Sequence, residues 1–182
     1  MFAIDLGDGA ELRPLQPFQA EEFLAHMDRG RAAIDPWISF ATRSTDLDSA
    51  RATLQGFADG QADDTLHAFG IWLEGTLVGG VMLVRFDAAS GVCEIGCWME
   101  DAGQGRGLIT KASRHLVDWA FTARGMHRVE WRARVDNVRS TNVARRLGMS
   151  LDGVLRQAIP FAGQRHDLEV WSLLADEWEG AR

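Results

Sequence analysis

The segment Gly103-Gln104-Gly105-Arg106-Gly107-Leu108-Ile109-Thr110 carries the clearest chemistry in this chain. Its glycines let the backbone approach a ligand closely and adopt positive φ. An apolar stripe starting at Leu108 marks a helix. A helix start offers unpaired N–H groups and the positive end of a dipole. Together these features hold a phosphate or pyrophosphate, and Arg106 adds a charge-assisted donor. The loop is not a dinucleotide fingerprint, because Leu108 stands where a third glycine is required. Nor is it a P-loop, because Leu108-Ile109 follows Gly107 where Lys and Ser or Thr are needed. Taken alone it also fits a turn that only starts a helix.

Glu94 is the second group of interest. It lies in Val92-Cys-Glu-Ile-Gly-Cys-Trp-Met99, an apolar run that reads as a strand. Its side chain falls on the face opposite Cys93, Ile95 and Cys97. A carboxylate partly desolvated there has a raised pKa. The same pattern fits an exposed charge on the polar face, and both readings stand. Cys93 and Cys97, four residues apart on a strand, are separated by about 13 Å. A disulfide needs α-carbons within about 7 Å, so reduced, structural thiols are expected. No Cys/His cluster has zinc spacing, so no metal is expected. No histidine forms HExxH and none accompanies GxSxG, which leaves hydrolase readings without support.

The positioning elements follow from periodicity. Glu11–Leu15 predicts a short strand. Gln16–Met27 predicts a helix with Phe18, Phe23, Leu24 and Met27 on one face. A second helix is expected from about Asp46, with caps among Ser44-Thr45-Asp46. Leu66–Leu73 and Leu77–Phe86 read as a hairpin around Glu74-Gly75-Thr76, and Val92–Met99 as a third strand. Leu108–Ala123 predicts an amphipathic helix ended by Gly125. A strand over Arg128–Val135, a short helix over Asn137–Leu147 and a hairpin around Ala162-Gly163-Gln164 complete the chain. Trp72, Trp119, Trp131 and Trp171 fall in core-like patterns. The order β-α-α-β-β-β-α-β-α-β-β predicts an α/β domain with a mixed, mostly antiparallel sheet and helices on its faces. Consecutive hairpin-linked strands exclude a doubly wound sheet.

Composition agrees with one domain over 1–182. The chain has 182 residues, 46% hydrophobic and 25% charged, which is the globular norm. No repeat or linker is visible. No apolar run is long enough to span a membrane, and the start lacks a basic n-region and an apolar h-region, so a cytoplasmic protein is expected. The net charge of −7 does not suit nucleic acid, which draws a basic field. Lys111 is the single lysine and tyrosine is absent.

Several ordered motifs carry a resemblance. Gln104-Gly-Arg-Gly-Leu-Ile-Thr110 resembles the pyrophosphate loop of the GNAT superfamily of acyl-CoA-dependent N-acyltransferases. Glu94-Ile-Gly-Cys-Trp98 resembles the strand before that loop. Arg134-Val-Asp-Asn137 through Leu147-Gly148 resembles the following strand end and helix. Gly153-Val-Leu-Arg156, Gly163-Gln-Arg-His-Asp167 and Leu173–Trp178 are similar to one branch, the ribosomal-protein-serine acetyltransferases. Ala33-Ile-Asp-Pro-Trp37 is similar to that branch's N-terminal substrate region. Ile109 stands where Gly or Ala is usual, and Leu147-Gly148-Met149 replaces Leu-Gly-Phe.

The resemblance implies direct attack of a primary amine on the thioester of acetyl-CoA or another short acyl-CoA. A base, directly or through water, must then take the amine proton. A backbone N–H should meet the developing oxyanion, and the departing thiolate wants a donor. Glu94 is the first candidate for the base. The superfamily's usual acid is a tyrosine, so Ser140 is the expected substitute; it also sits where a helix cap could use it. Trp98 and Met99 backbone groups, Gln104, Gly105, Arg106, Gly107, Leu108, Ile109, Thr110, Asn137 and Ser140 are expected to hold the CoA moiety. Trp37 and Asp167 are the candidate substrate residues, Asp167 with a structural reading slightly favoured. The acceptor is a protein N-terminus or a small amine. A succinyl donor is an alternative, with Arg43, Arg156 or Arg165 meeting its carboxylate. So is a non-catalytic CoA-binding module. A homodimer stays open.

Overall fold

A computed structural model describes residues 3–38 and 40–180; the ends of the expected 1–182 domain lie outside the described residues. The chain forms one eight-stranded sheet in the order β1-β2-β3-β4-β5-β6-β8-β7. The strands are β1 (Ile4–Gly7), β2 (Ala10–Pro14), β3 (His67–Leu73), β4 (Thr76–Asp87), β5 (Val92–Met99), β6 (Arg128–Arg134), β7 (Ser150–Phe161) and β8 (Gln164–Leu174). Every neighbouring pair is antiparallel except β5 and β6. The helices are α1 (Ala20–Ile34), α2 (Phe40–Arg43), α3 (Leu47–Ala62), α4 (Leu108–Asp118) and α5 (Val138–Arg146).

The predicted alternation places apolar residues on both faces. One core holds Ile71, Val81, Leu83, Ile95 and Trp131 under Leu108, Ala112 and Leu116 of α4, Val143 and Ala144 of α5, and Leu147 just after it. The other packs Phe23 and Met27 of α1, Phe40 of α2 and Leu54 of α3 against Met82 and Trp98. Asp46 caps α3, accepting from the Ser49 N–H at 2.8 Å. Cys93 and Cys97 are free thiols.

The sheet differs from expectation at its start. β1 and α2 are additional, and both are too short for periodicity to reveal. A 3-10 turn over Pro17–Gln19 precedes α1, which then runs on to Ile34 rather than ending at Met27. It stops at Asp35-Pro36: Asp35 is still helical and bonds the Arg31 carbonyl at 3.0 Å, but Pro36 has no N–H to continue the ladder. The last turn of the predicted Leu108–Ala123 helix is a π-helical turn, Trp119–Ala123.

One irregularity positions the site. β5 pairs with β6 only from Val92↔Arg128 to Ile95↔Trp131. Beyond that register the two strands part, while Gly96–Met99 stay paired to β4. The backbone edge of Gly96–Met99 that faces away from β4 is therefore free. Gly80 of β4 permits the geometry, because a Cβ there would meet the Trp98 ring at 2.3 Å.

Candidate active site

A cavity of about 700 Å³ fills this splay. It runs from the start of α4, along Cys97, Trp98 and Met99, past Asn137 and Ser140, to Ile34 and Trp37 at the end of α1. The sheet thus has an opening with a phosphate-type loop on one side and the turn after α1 on the other.

The loop end fits a pyrophosphate. Gly105 and Gly107 have φ of 76° and 71°, the left-handed region that glycine tolerates. The first backbone bond of the helix start is Lys111 N–H to Gly107 O at 3.0 Å. The amides of Leu108, Ile109 and Thr110 precede it and stay free for an anion. Gln104, Gly105, Gly107, Leu108, Ile109 and Thr110 all line the cavity. Arg106 does not. Instead Lys111, Arg139 and Arg146 do, with the Lys111 ammonium turned to the Leu6 carbonyl at 2.8 Å and Asp8 at 3.7 Å. Arg139 also donates to Gln104 Oε1 at 2.9 Å and ties α5 to the loop. Sequence reasoning missed these three. The signal for the two arginines is the helical spacing of Arg139, Val143 and Arg146, with both flanking the cavity-lining Val143.

Ser140 and Asn137 meet at the start of α5. The Asn137 carboxamide oxygen accepts from the Ser140 N–H at 3.2 Å. Trp131 Nε1–H donates to Ser140 Oγ at 2.9 Å. An indole N–H can only donate, so the Ser140 hydroxyl accepts there and keeps its own hydrogen to donate elsewhere. Trp131, 1% exposed, is therefore both core and a partner of the site.

Trp98 is anchored from behind. Its Nε1–H donates to His26 Nε2 at 3.1 Å, and His26 Nδ1 lies 2.8 Å from Glu100 Oε2. Since His26 Nε2 must accept, the ring hydrogen sits on Nδ1 and points at the carboxylate. Arg29 completes the chain, bonding Glu100 at 3.3 Å and the Leu77 carbonyl at 2.8 Å. Burial pushes the His26 pKa down, against the opposing pull of Glu100. A neutral histidine in the fold makes stability depend on pH with a definite sign. The unfolded ring takes a proton near its ordinary 6.5, while the folded ring resists it. This contribution is full above pH 6.5 and is lost as pH falls below it. His67 is shifted downward too and adds in the same sense. His26→Gln should flatten the slope of melting temperature against pH below 6.5, leaving the part due to His67. An unchanged slope would remove His26 as a contributor.

Glu94 does not line the cavity. It lies at the level Glu94↔Glu130, where β5 and β6 are still paired, with its side chain 21% exposed and 3.6 Å from Arg132 Nε. Burial pushes its pKa up; Arg132 and Arg85 pull it back in part, and Glu130 adds to the rise. None of the cavity-lining residues is a carboxylate or a histidine. Cys97 lines the cavity, and burial pushes its thiol up to about 12, which favours the protonated form. Asp167 accepts from the Gln157 N–H at 2.8 Å, across an irregular stretch of the β7–β8 hairpin. Trp37 is 37% exposed and lines the far end.

A nucleotide-type loop opening onto a split between parallel strands defines an acyl-CoA-dependent transferase class. The comparisons with known proteins agree. Residues 10–150 match the Acetyltransferase (GNAT) domain family, and the chain belongs to that family. It is 31% identical to YdaF of Bacillus subtilis (strain 168), over 100% of both chains. It is 29% identical to the ribosomal-protein-serine acetyltransferase of Escherichia coli (strain K12), covering 77% of this chain and 76% of that one. Among solved structures, RimL, a ribosomal L7/L12 α-N-protein acetyltransferase in complex with coenzyme A, superposes with a TM-score of 0.90. Identity is 20%, with 97% of this chain and 99% of that one covered. The chain is an acyl-CoA-dependent N-acetyltransferase, and its substrates are acyl-CoA and an amine.

Proposed function

We propose that this enzyme acetylates the N-terminal amine of a protein. The carrying observation is the single cavity that joins the α4 loop to Trp37 through the β5–β6 splay. A donor held at the loop and an acceptor entering past Trp37 then meet beside Cys97–Met99 and Ser140. The names of the relatives, which act on ribosomal proteins, favour a protein acceptor over a small amine.

Acyl-CoA supplies the thioester carbonyl. The α4 amides with Gln104 and Arg139 hold its phosphates, and Arg146 adds positive charge. The free edge of Gly96–Met99 pairs with the pantetheine arm like an added strand, with Asn137 helping to hold it. A backbone N–H on that edge faces the developing negative oxygen. Ser140, oriented by Trp131, donates its hydroxyl hydrogen to the departing sulfur. Glu94 takes the amine proton through water, because no carboxylate reaches the cavity wall itself. Much of the rate comes from holding the two reactants together. Asp167 shapes the hairpin beside the acceptor and does not touch it.

Ser140→Ala should lower kcat about tenfold, since water can replace the lost donor, and leave CoA affinity nearly unchanged. It also leaves the buried Trp131 N–H unpaired, which costs about 1–3 kcal/mol. Steady-state rates and a melting curve check both effects. An unchanged kcat removes Ser140 from the transfer. The acceptor is tested by thiol release from acetyl-CoA and succinyl-CoA against amino-terminal peptides and small amines. Release only with peptides supports the reading. Release only with small amines, or only from succinyl-CoA, overturns the corresponding part.

A further inference from the structure

Arg134 ends β6 at the mouth of the cavity, yet its side chain is only 14% exposed. Its guanidinium sits 4.9 Å from the Trp37 ring centre and 5.5 Å from that of Phe161. It donates to the Pro36 carbonyl at 3.2 Å and pairs with Asp136 at 2.5 Å. One cation therefore joins three elements: the turn after α1, the end of β6 and the tip of the β7–β8 hairpin. Of the residues it touches, Trp37 lines the cavity. Arg134 itself lies outside the lining. The turn's other described bonds are local, from Trp37 N–H and Ile38 N–H to the Ile34 carbonyl.

A planar guanidinium suits this task. It stacks on aromatic faces while its N–H groups bond in the plane, which an ammonium cannot do. The pair with Asp136 is itself bidentate, Nε–H to Oδ1 at 3.0 Å and Nη2–H to Oδ2 at 2.5 Å, and uses the planar fork. The two aromatic contacts and the carbonyl bond need the shape.

We propose that Arg134 is a positioning residue that clamps Pro36-Trp37 and Phe161 around its guanidinium and so sets the acceptor's entrance to the cavity. This rests on the reading that the acceptor enters past Trp37. The polar and ring partners of the Arg134 guanidinium are Pro36, Asp136, Trp37 and Phe161, none of them in the Gln104–Thr110 loop. Its loss should therefore be felt by one substrate and not the other.

The test compares Arg134→Ala, Arg134→Lys, Phe161→Ala and Trp37→Ala, using a peptide with a free N-terminal serine as acceptor. Arg134→Ala should raise the acceptor KM about tenfold, with kcat within about twofold, the signature of acceptor binding lost equally from the ground and transition states. The Kd for acetyl-CoA should not move. Arg134→Lys should behave like Arg134→Ala. Rescue by Lys would reduce the role to charge and overturn the proposal. So would an equal loss of acetyl-CoA affinity. Phe161→Ala removes one stacking face from an exposed tip and should give a smaller rise in acceptor KM, which covers the case of Arg134→Ala failing to fold.

Hydrogen exchange needs no acceptor and reads the clamp directly. Residues 33–38 should exchange faster in Arg134→Ala, with 104–112 unchanged. Equal exchange in both proteins overturns the clamp. An unchanged acceptor KM in Trp37→Ala overturns the Trp37 entrance, and the proposal falls with it. A raised KM in Trp37→Ala with none in Arg134→Ala overturns the role of Arg134 alone.

Discussion

Gly107→Trp should abolish CoA binding and leave the fold intact. Gly107 lines the cavity at the start of α4. Its φ is 71° and a Cβ there would meet no atom within 4 Å. A side chain there therefore starts in open space at the cavity wall, where the ligand would lie. The strained backbone costs about 1–2 kcal/mol for a non-glycine residue, too little to unfold a domain with two cores. Loss of the phosphate contacts and steric exclusion together should weaken CoA binding at least about 100-fold, or about 2.8 kcal/mol. Gly75→Trp is the matched control. Gly75 has a φ of 82° and equally open surroundings, but it sits in the β3–β4 turn, away from the cavity. Calorimetric titration with CoA should show loss in the first variant and wild-type affinity in the second. Wild-type affinity in Gly107→Trp would sink the pyrophosphate assignment.

The second large effect is Glu94→Gln, with turnover falling on the order of 100-fold or more, the usual cost of losing a general base. Acetyl-CoA affinity should be nearly intact, because Glu94 does not line the cavity. The pH profile makes the test sharper. Burial raises the Glu94 pKa and Arg132 and Arg85 oppose the rise. The base works ionised, so kcat should climb with pH through a limb above the usual carboxylate range. Arg132→Ala removes the opposing charge and should move that limb to higher pH. Glu94→Gln should remove it. Full activity in Glu94→Gln would eliminate Glu94, and an unmoved limb in Arg132→Ala would show that another group titrates there.

Much of the fold was legible because its causes are local. The α4 stripe repeats at helical spacing, β5 alternates between its faces, and the Ala162-Gly163 turn between β7 and β8 has φ of 49° and 77°, conformations that a two-residue hairpin favours. β1 and α2 escaped because four-residue elements carry too few apolar positions to show a period. The candidate site was legible in part. The glycine loop and the Asn137–Ser140 helix start announce themselves, and residues from both meet at one cavity. Glu94 was picked out by its lone charge in an apolar strand, yet periodicity gives only its face. That it stays out of the cavity lining, 3.6 Å from Arg132, depends on where β6 parts from β5.

The sequence by itself determined the phosphate-type loop, the strand before it and the helix after it, since each depends on residues within one or two turns of chain. It also determined that Cys93 and Cys97 cannot pair along a regular strand. The tertiary structure alone decided what holds the site in place. His26 reaches Trp98 and Glu100 across 72 and 74 positions, and Arg134 reaches Pro36 across 98. Such contacts leave no periodic trace, because they depend on how α1, β6 and the hairpin tip come together rather than on the spacing within any one of them. Even the short link from Trp131 to Ser140 needs the turn after β6 to fold the helix back over the strand. Buried polar groups must find partners once water is excluded, and the packed fold determines which partners are within reach.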